Sequence, residues 1–238
     1  MSTPGASPEG TGWVVALPAE AHSIGMHGMH PGDCVRWRDG WIAVSGIGPH
    51  NAMRAAERLL ACGVVRLANW GVAGALSSDL APGDVLVVDR VHYASDDPGF
   101  ATDADASEHL AATLSASLRV RRGTLWSAAQ PVATHSEKRA LAERSGAIAV
   151  DMEAAPIAAV ALRAKLPFVA VKAICDPAGR ELPAGIVRAL DGADEGWSPR
   201  MIAAIAFGGP ATWRATYALT RDFRRAQRSL ATAAALAA

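Results

Sequence analysis

Ile148-Ala149-Val150-Asp151-Met152-Glu153-Ala154-Ala155-Pro156, then an alanine-rich run to about Lys165, then Leu166-Pro167-Phe168-Val169-Ala170-Val171-Lys172-Ala173-Ile174-Cys175-Asp176-Pro177-Ala178-Gly179: this stretch decides the fold. Ile148 to Val150 is a short apolar run that ends in acid, and Phe168 to Ile174 is a second one that ends in Asp176. A helix-length segment separates them, so the spacing predicts a strand–helix–strand unit with carboxylates at both strand ends. If the two strands are parallel, both ends open on one edge of the sheet, where open α/β sheets bind ligands. Asp176-Pro177 is also a turn signal, so these carboxylates serve either a ligand or the start of a turn.

Upstream, Trp13 to Leu17 reads as a buried strand, followed by Pro18-Ala19-Glu20. Glu20 is therefore a third carboxylate beyond a strand end; alternatively it is a first-turn glutamate favoured by the helix dipole. Cys34 to Arg38 and Trp41 to Val44 flank Asp39-Gly40, a two-residue hairpin signal. Ser45-Gly46-Ile47-Gly48-Pro49 joins a strand to a helix from about Ala52 to Cys62, a turn that brings backbone N–H groups close to a ligand. It lacks the third glycine and the distal acid of a dinucleotide fingerprint. Val64 to Asn69 is the next strand, with a second small-residue turn at its end, Gly71 to Leu76.

Val85 to Val91 is a further apolar strand, and Asp96 to Ala106 is a polar surface or lid loop. Helices at Glu108 to Leu118 and Ser136 to Arg144 bracket a strand at Gly123 to Ser127. The strands are continuous apolar runs with helices between them, which predicts a sheet covered on both faces. The expected fold is α/β and three-layer, a twisted central mixed sheet flanked by helices, in one domain over residues 12–238.

Half of the 238 residues are hydrophobic and 19% are charged, as in a globular chain. A net charge of zero disfavours nucleic acid as a partner. Cys34, Cys62 and Cys175 show no paired spacing and read as reduced thiols of a cytoplasmic protein. Met1 to Thr11 resembles no signal peptide and is expected to be a loose terminal segment. No apolar stretch reaches membrane-spanning length. His22, His27 and His30 share no helical face and lack a completing carboxylate or thiol, so a mobile loop is expected there and no metal.

From Trp197 to the end there are six arginines and one acid, Asp222. Arg214, Arg221, Arg225 and Arg228 fall on one side of a helix predicted at about Ala211 to Leu230, and Trp213, Tyr217, Leu219, Phe223 and Leu230 on another. Such a helix either docks on the core with a solvated basic face or touches a membrane surface or lipidic substrate.

Taken in order, Ala16-Leu17-Pro18-Ala19-Glu20, Ser45-Gly46-Ile47-Gly48, Asn69-Trp70-Gly71-Val72-Ala73-Gly74, Pro82-Gly83-Asp84, Val150-Asp151-Met152-Glu153-Ala154-Ala155 and Ala173-Ile174-Cys175-Asp176 resemble the nucleoside phosphorylase/nucleosidase superfamily. The chain is most similar to its methylthioadenosine/S-adenosylhomocysteine nucleosidase branch, and also looks like hopanoid-associated members acting on adenosylhopane. The resemblance covers about Trp13 to Gly179.

It implies cleavage of an N-glycosidic bond, with Asp176 as general acid at purine N7 and Glu20 as the base that serves water. Glu153 would accept hydrogen bonds from the ribose hydroxyls, and Met152 would pack on the sugar. The backbone of Val72, Ala73 and Gly74 would line the anomeric end, with Ile47 and Cys175 also at the substrate. It implies no cofactor, a small-molecule nucleoside partner and a homodimer. Phosphorolysis needs cations for a dianion, whereas Asn69 and Trp70 precede the glycine segment and Glu20 would repel phosphate. That favours water, with Arg36, Arg38 and Arg54 left as alternative phosphate ligands. Two departures touch the substrate. Ala128-Ala129-Gln130-Pro131-Val132 holds no base-stacking phenylalanine, which leaves a residue such as Trp126 for that task. Cys175 and Gly179 replace a serine and a second acid. An adenosyl lipid of the hopanoid type is the leading substrate. Phosphorolysis, methylthioadenosine/S-adenosylhomocysteine hydrolysis and a non-catalytic nucleoside- or lipid-binding protein are the alternatives.

Overall fold

The computed structural model describes residues 9–94, 98–191 and 209–237. The chain runs β1 (Glu9–Val15), α1 (Pro18–Ser23), β2 (Cys34–Trp37), β3 (Gly40–Val44), α2 (Pro49–Ala61), β4 (Val64–Ala75), β5 (Val85–His92), β6 (Phe100–Ala101), α3 (Ala104–Ser115), β7 (Val120–Ser127), α4 (His135–Ser145), β8 (Ala149–Asp151), α5 (Ala154–Ala164), β9 (Phe168–Asp176), α6 (Ala184–Asp191) and α7 (Gly209–Leu236). Local chemistry sets several of these boundaries. Proline opens α1 and α2, where a missing N–H costs nothing. Thr134 and Glu137 form a capping box on α4, and Gly146 ends that helix in the left-handed conformation.

All nine strands join one mixed sheet. β2 pairs antiparallel with β3, and β3, β1 and β4 run parallel. From β4 the sheet closes on itself. β4 is parallel to β9, β9 antiparallel to β5, β5 parallel to β7, β7 parallel to β8, and β8 antiparallel to β4. One apolar face packs on α2 and α5 through residues such as Leu59, Ile157, Leu67 and Leu86. The other, with Trp70, Val85, Val87 and Val171, packs on α1, α3 and α7.

The premise of parallel strands at the two acidic ends fails. β8 is antiparallel to β4 and β9 is parallel to it, so β8 and β9 run in opposite senses. Their carboxyl ends still converge, because both pair with one residue: Gly74 faces Val150 of β8 and Asp176 of β9. Closing the sheet, and not a parallel crossover, gathers the acids.

Other boundaries differ from expectation. Gly71 to Ala75 continues β4 and is no turn; small residues there permit close approach of other groups. The hairpin turn is Arg38-Asp39, with Gly40 already paired to Trp37. Glu9 to Thr11 belong to β1, paired with β4, while residues 1–8 lie outside the described residues. Of the expected loop from Asp96 to Ala106, residues 96 and 97 lie outside the described residues. The rest is pinned: β6 pairs with β5, Thr102 donates to Val88 O at 2.7 Å, and Asp103 caps α3.

α7 is longer than predicted and docks through Ala226, Leu230, Ala233 and Ala234. The side chains of Arg214, Arg221, Arg225 and Arg228 are exposed. Tyr217 is 72% exposed and so lies off the docking side, whereas Phe223 is half-buried. The side chain of Trp213 lies outside the described residues.

Candidate active site

Glu20 sits in the first turn of α1 and folds back on the chain entering it. Its Oε2 accepts from the N–H groups of Ala16 (2.8 Å) and Leu17 (3.0 Å), and its Oε1 from the N–H of Val72 on β4 (2.9 Å). The carboxylate thus answers the open N–H groups of a helix start and also reaches the middle of the sheet. Gly71 makes room for it, since a Cβ there would lie 2.6 Å from Oε1. Burial pushes the Glu20 pKa up, opposed by the Lys172 charge and the three backbone donors.

Lys172 is the charge in the middle of this cluster. It lies in β9, is 2% exposed, and its Nζ is 2.7 Å from Asp151 Oδ2. Burial alone would lower its pKa, but Asp151, Glu153 and Glu20 together raise it, so it stays an ammonium. Asp151 also accepts from the N–H of Ala154 at 3.0 Å, and Ser127 Oγ accepts from that of Ala155 at 3.1 Å, which caps the start of α5.

Glu153 faces the same lysine. Its Oε1 accepts from the N–H of Gly48 at 2.8 Å and its Oε2 from that of Met152 at 3.2 Å. The glycine turn after β3 thus delivers a backbone donor to a carboxylate more than 100 residues away. Burial, with the neighbouring Asp151 charge, pushes the Glu153 pKa up to about 7, against the pull of Lys172 and Gly48.

Asp176 ends β9. Its Oδ2 accepts from the ammonium of Lys138 on α4, whereas its Oδ1 is buried with no hydrogen-bond partner among the described residues. Burial raises its pKa, and Lys138 and then Arg180 lower it. Cys175 beside it has a thiol pushed up to about 12 by burial and by the Asp176 and Glu20 charges, so it stays protonated and poorly nucleophilic.

Glu20, Glu153, Val72 and Gly74 are thereby brought to one region with Asp176. Met152 and Ile47 are half-buried beside Glu153 and Gly48 in the chain, and Ala73 is buried opposite Ile174. Trp126 is 8% exposed and packs with Leu76, Leu141 and Val150, under the Arg144 guanidinium at 5.7 Å. Its ring is committed to that cluster. Arg38 lies over Trp37 at 4.4 Å and donates to Ala234 O, and Arg36 lies over Trp41 at 5.6 Å. Both are engaged at the β2–β3 hairpin.

Lys172, Lys138 and Gly71 did not emerge from the sequence. Lys172 carried a usable signal: a lone cation inside the apolar run Phe168 to Ile174 must find an acid. Lys138 carried none, because lysine on a polar helix ordinarily faces water. Nδ1 of His22 and Nδ1 of His27 meet at 2.9 Å. Among the described residues no group of three or more His, Cys, Asp or Glu is arranged to hold a metal ion.

A family model described as the Phosphorylase superfamily matches residues 38–206. Among solved structures, 5′-methylthioadenosine/S-adenosylhomocysteine nucleosidase of Helicobacter pylori aligns with 96% of this chain over 97% of its own, at 19% identity and a TM-score of 0.68. Futalosine hydrolase of the same organism aligns over 96% and 97% at 19% identity, TM-score 0.69. The Neisseria meningitidis nucleosidase, in complex with methylthio-immucillin-A, aligns over 96% and 97% at 18% identity, TM-score 0.71. At such identities the likeness is one of fold. Comparison with curated proteins gave no match.

Proposed function

The chain belongs to the phosphorylase superfamily, and from that premise we propose that it hydrolyses the N-glycosidic bond of a purine nucleoside. The observation that carries the choice of water over phosphate is the position of Glu20. Its carboxylate already takes the N–H groups of Ala16, Leu17 and Val72, a set of donors suited to an oxyanion. A phosphate dianion there would meet a negative group and find those donors spent. Arg36 and Arg38 are occupied on tryptophans at the sheet edge.

In the proposed reaction Glu20, its basicity raised by burial, takes a proton from water as it attacks C1′ of an oxocarbenium-like ribose. Glu153 accepts from the ribose hydroxyls, and the Met152 thioether packs on the sugar. Asp176 gives its proton to purine N7, so the base leaves as a neutral molecule. The substrate class is adenosine with an apolar 5′ substituent, adenosylhopane being the leading candidate. That choice rests on the sequence resemblance and on the exposed arginines of α7. An adenosyl lipid would be met at a membrane surface by an enzyme resting on its cytoplasmic side, and a homodimer is the proposed assembly. No described helix is long and apolar enough to cross a membrane.

Release of free adenine from a series of 5′-substituted adenosines, with and without phosphate, tests this reading. Equal turnover in both buffers and a free ribosyl product are expected. Ribose 1-phosphate esters as the main product would overturn hydrolysis.

A further inference from the structure

Lys138 is 1% exposed, on a helix whose other charged side chains face solvent. Its Nζ donates to Asp176 Oδ2, to Pro177 O at 3.1 Å and to Arg180 O at 2.8 Å. Three acceptors use three hydrogens, and only the ammonium form has three. All three acceptors belong to the short segment that leaves β9. The same segment is held at two further points. His135 Nδ1 and Ala178 O are 3.1 Å apart, and Arg180 Nη1 lies 2.7 Å from Oδ2 of Asp222, a buried acid on α7. Against this framework one atom stands out: Oδ1 of Asp176, buried and without a partner among the described residues.

We infer that Lys138 is the positioning residue of the Asp176 acid: it pins Oδ2, leaves Oδ1 as the oxygen for the departing base, and holds a fixed positive charge against the carboxyl. The inference rests on the reading of Asp176 as the group that protonates the base. As the C1′–N9 bond breaks, its electron pair passes to the purine and the proton on Oδ1 moves to N7. The carboxylate left behind is stabilised by the ammonium, and after the base leaves it is reprotonated through solvent, which receives in turn the proton that Glu20 took from the attacking water. Each N–H of the Lys138 ammonium is taken by one of its three acceptors, so the proton that moves to the base is the one on Oδ1. Burial raises the proton affinity of Asp176 most; among charged groups Lys138 on α4 and Arg180 in the exit segment lower it, and Asp222 on α7 raises it. Cys175, adjacent on β9, is held as a neutral thiol.

The test compares Lys138→Met, which removes the charge, with Lys138→Arg, which keeps it in another shape. For an adenine nucleoside, Lys138→Met should lower kcat about 100-fold with KM little changed. It should also move the alkaline limb of the kcat/KM profile upward by at least about one unit. Lys138→Arg should leave that limb in place. A nitrophenyl riboside, whose leaving group needs no proton, should be turned over nearly as well by either variant. Equal losses on both substrates with an unmoved limb would make Lys138 a packing residue and overturn the inference.

A second measurement needs no turnover: urea unfolding of the wild type, Lys138→Met, Asp176→Asn and the double variant. The two substitutions should be coupled by about tenfold in the unfolding constant at neutral pH, and the coupling should fade in acid as Asp176 is protonated. No coupling at any pH would sink the inference. Failure of the wild type to release a base from any nucleoside would instead remove the proposed function, and the unfolding cycle would decide the Lys138–Asp176 pair by itself.

Discussion

The backbone N–H of Val72 lies 2.9 Å from Glu20 Oε1, and the residue before it, Gly71, has no side chain to hold the carboxylate away. A group on α1 thereby becomes part of the central strand. Gly71→Ala would place a methyl 2.6 Å from Oε1. The carboxylate can retreat only by giving up backbone bonds worth roughly 1 kcal/mol each. A loss of kcat of about 100-fold is expected if Glu20 is the base, with the fold retained. Near wild-type kcat in a folded Gly71→Ala protein would dismiss Glu20 from that role.

Removing the charge at Lys172 should be costly. Lys172→Met strands Asp151 and leaves Glu153 and Glu20 without their shared cation. A destabilisation of about 3–5 kcal/mol is expected at neutral pH. It should be smaller in mild acid, where the carboxyls take up protons instead. Adding Asp151→Asn should restore part of the loss. Chemical denaturation of the single and double variants at two pH values measures both effects.

Glu153 predicts a pH dependence of stability. Its pKa rises on folding from the ordinary 4.5 to about 7, mainly through burial and the Asp151 charge. Between those values the native state holds a proton that the unfolded chain has lost. Stability contributed by this group is therefore complete below about pH 4.5 and declines as pH rises to about 7, by roughly 3 kcal/mol in all. Glu153→Gln should flatten the decline and be relatively more stable at pH above that window. An unchanged slope in the variant would show that another group titrates there.

Asp176→Asn should fold and lose most of its activity on adenine nucleosides, by about 100-fold or more, because an amide has no proton to hand to N7. A nitrophenyl riboside should suffer far less. Parallel losses would assign Asp176 to binding alone.

On α7, Arg221 is paired with Asp222 and the stem of Arg225 lies against Gly83. The side chains of Arg214, Arg224 and Arg228 are exposed. Near an anionic surface they would contribute about 1 kcal/mol each. Co-sedimentation with anionic vesicles is expected at low salt, falling as salt screens it. Replacing the three by glutamine should abolish it. An intact protein that stays in the supernatant at low salt would return α7 to packing alone and weaken the case for a lipidic substrate.

Much of the architecture was legible in local sequence. The apolar runs at Val85 and Phe168 predicted strands, and the alanine-rich run before Lys165 predicted α5, because side-chain period and apolar run length are properties of neighbouring residues. The acids Glu20, Glu153 and Asp176 could be picked out by their places at strand ends and by the resemblance their motifs carry.

Which strands become neighbours is not a local property, and the rest followed from it. Nothing around Ile148 shows that β8 runs against β9, or that both end on Gly74. The glycines of β4 looked like a turn because small residues mark turns and close approaches alike; only the arrival of Glu20 at Gly71 tells the two apart. Buried charge is decided the same way. Lys138 becomes an interior cation when α4 settles over the end of β9, 38 residues away in the chain. Sequence supplied the ionisable groups; tertiary structure, by burying them against one another, decided which acid meets which lysine and which oxygen of Asp176 is left without a partner among the described residues.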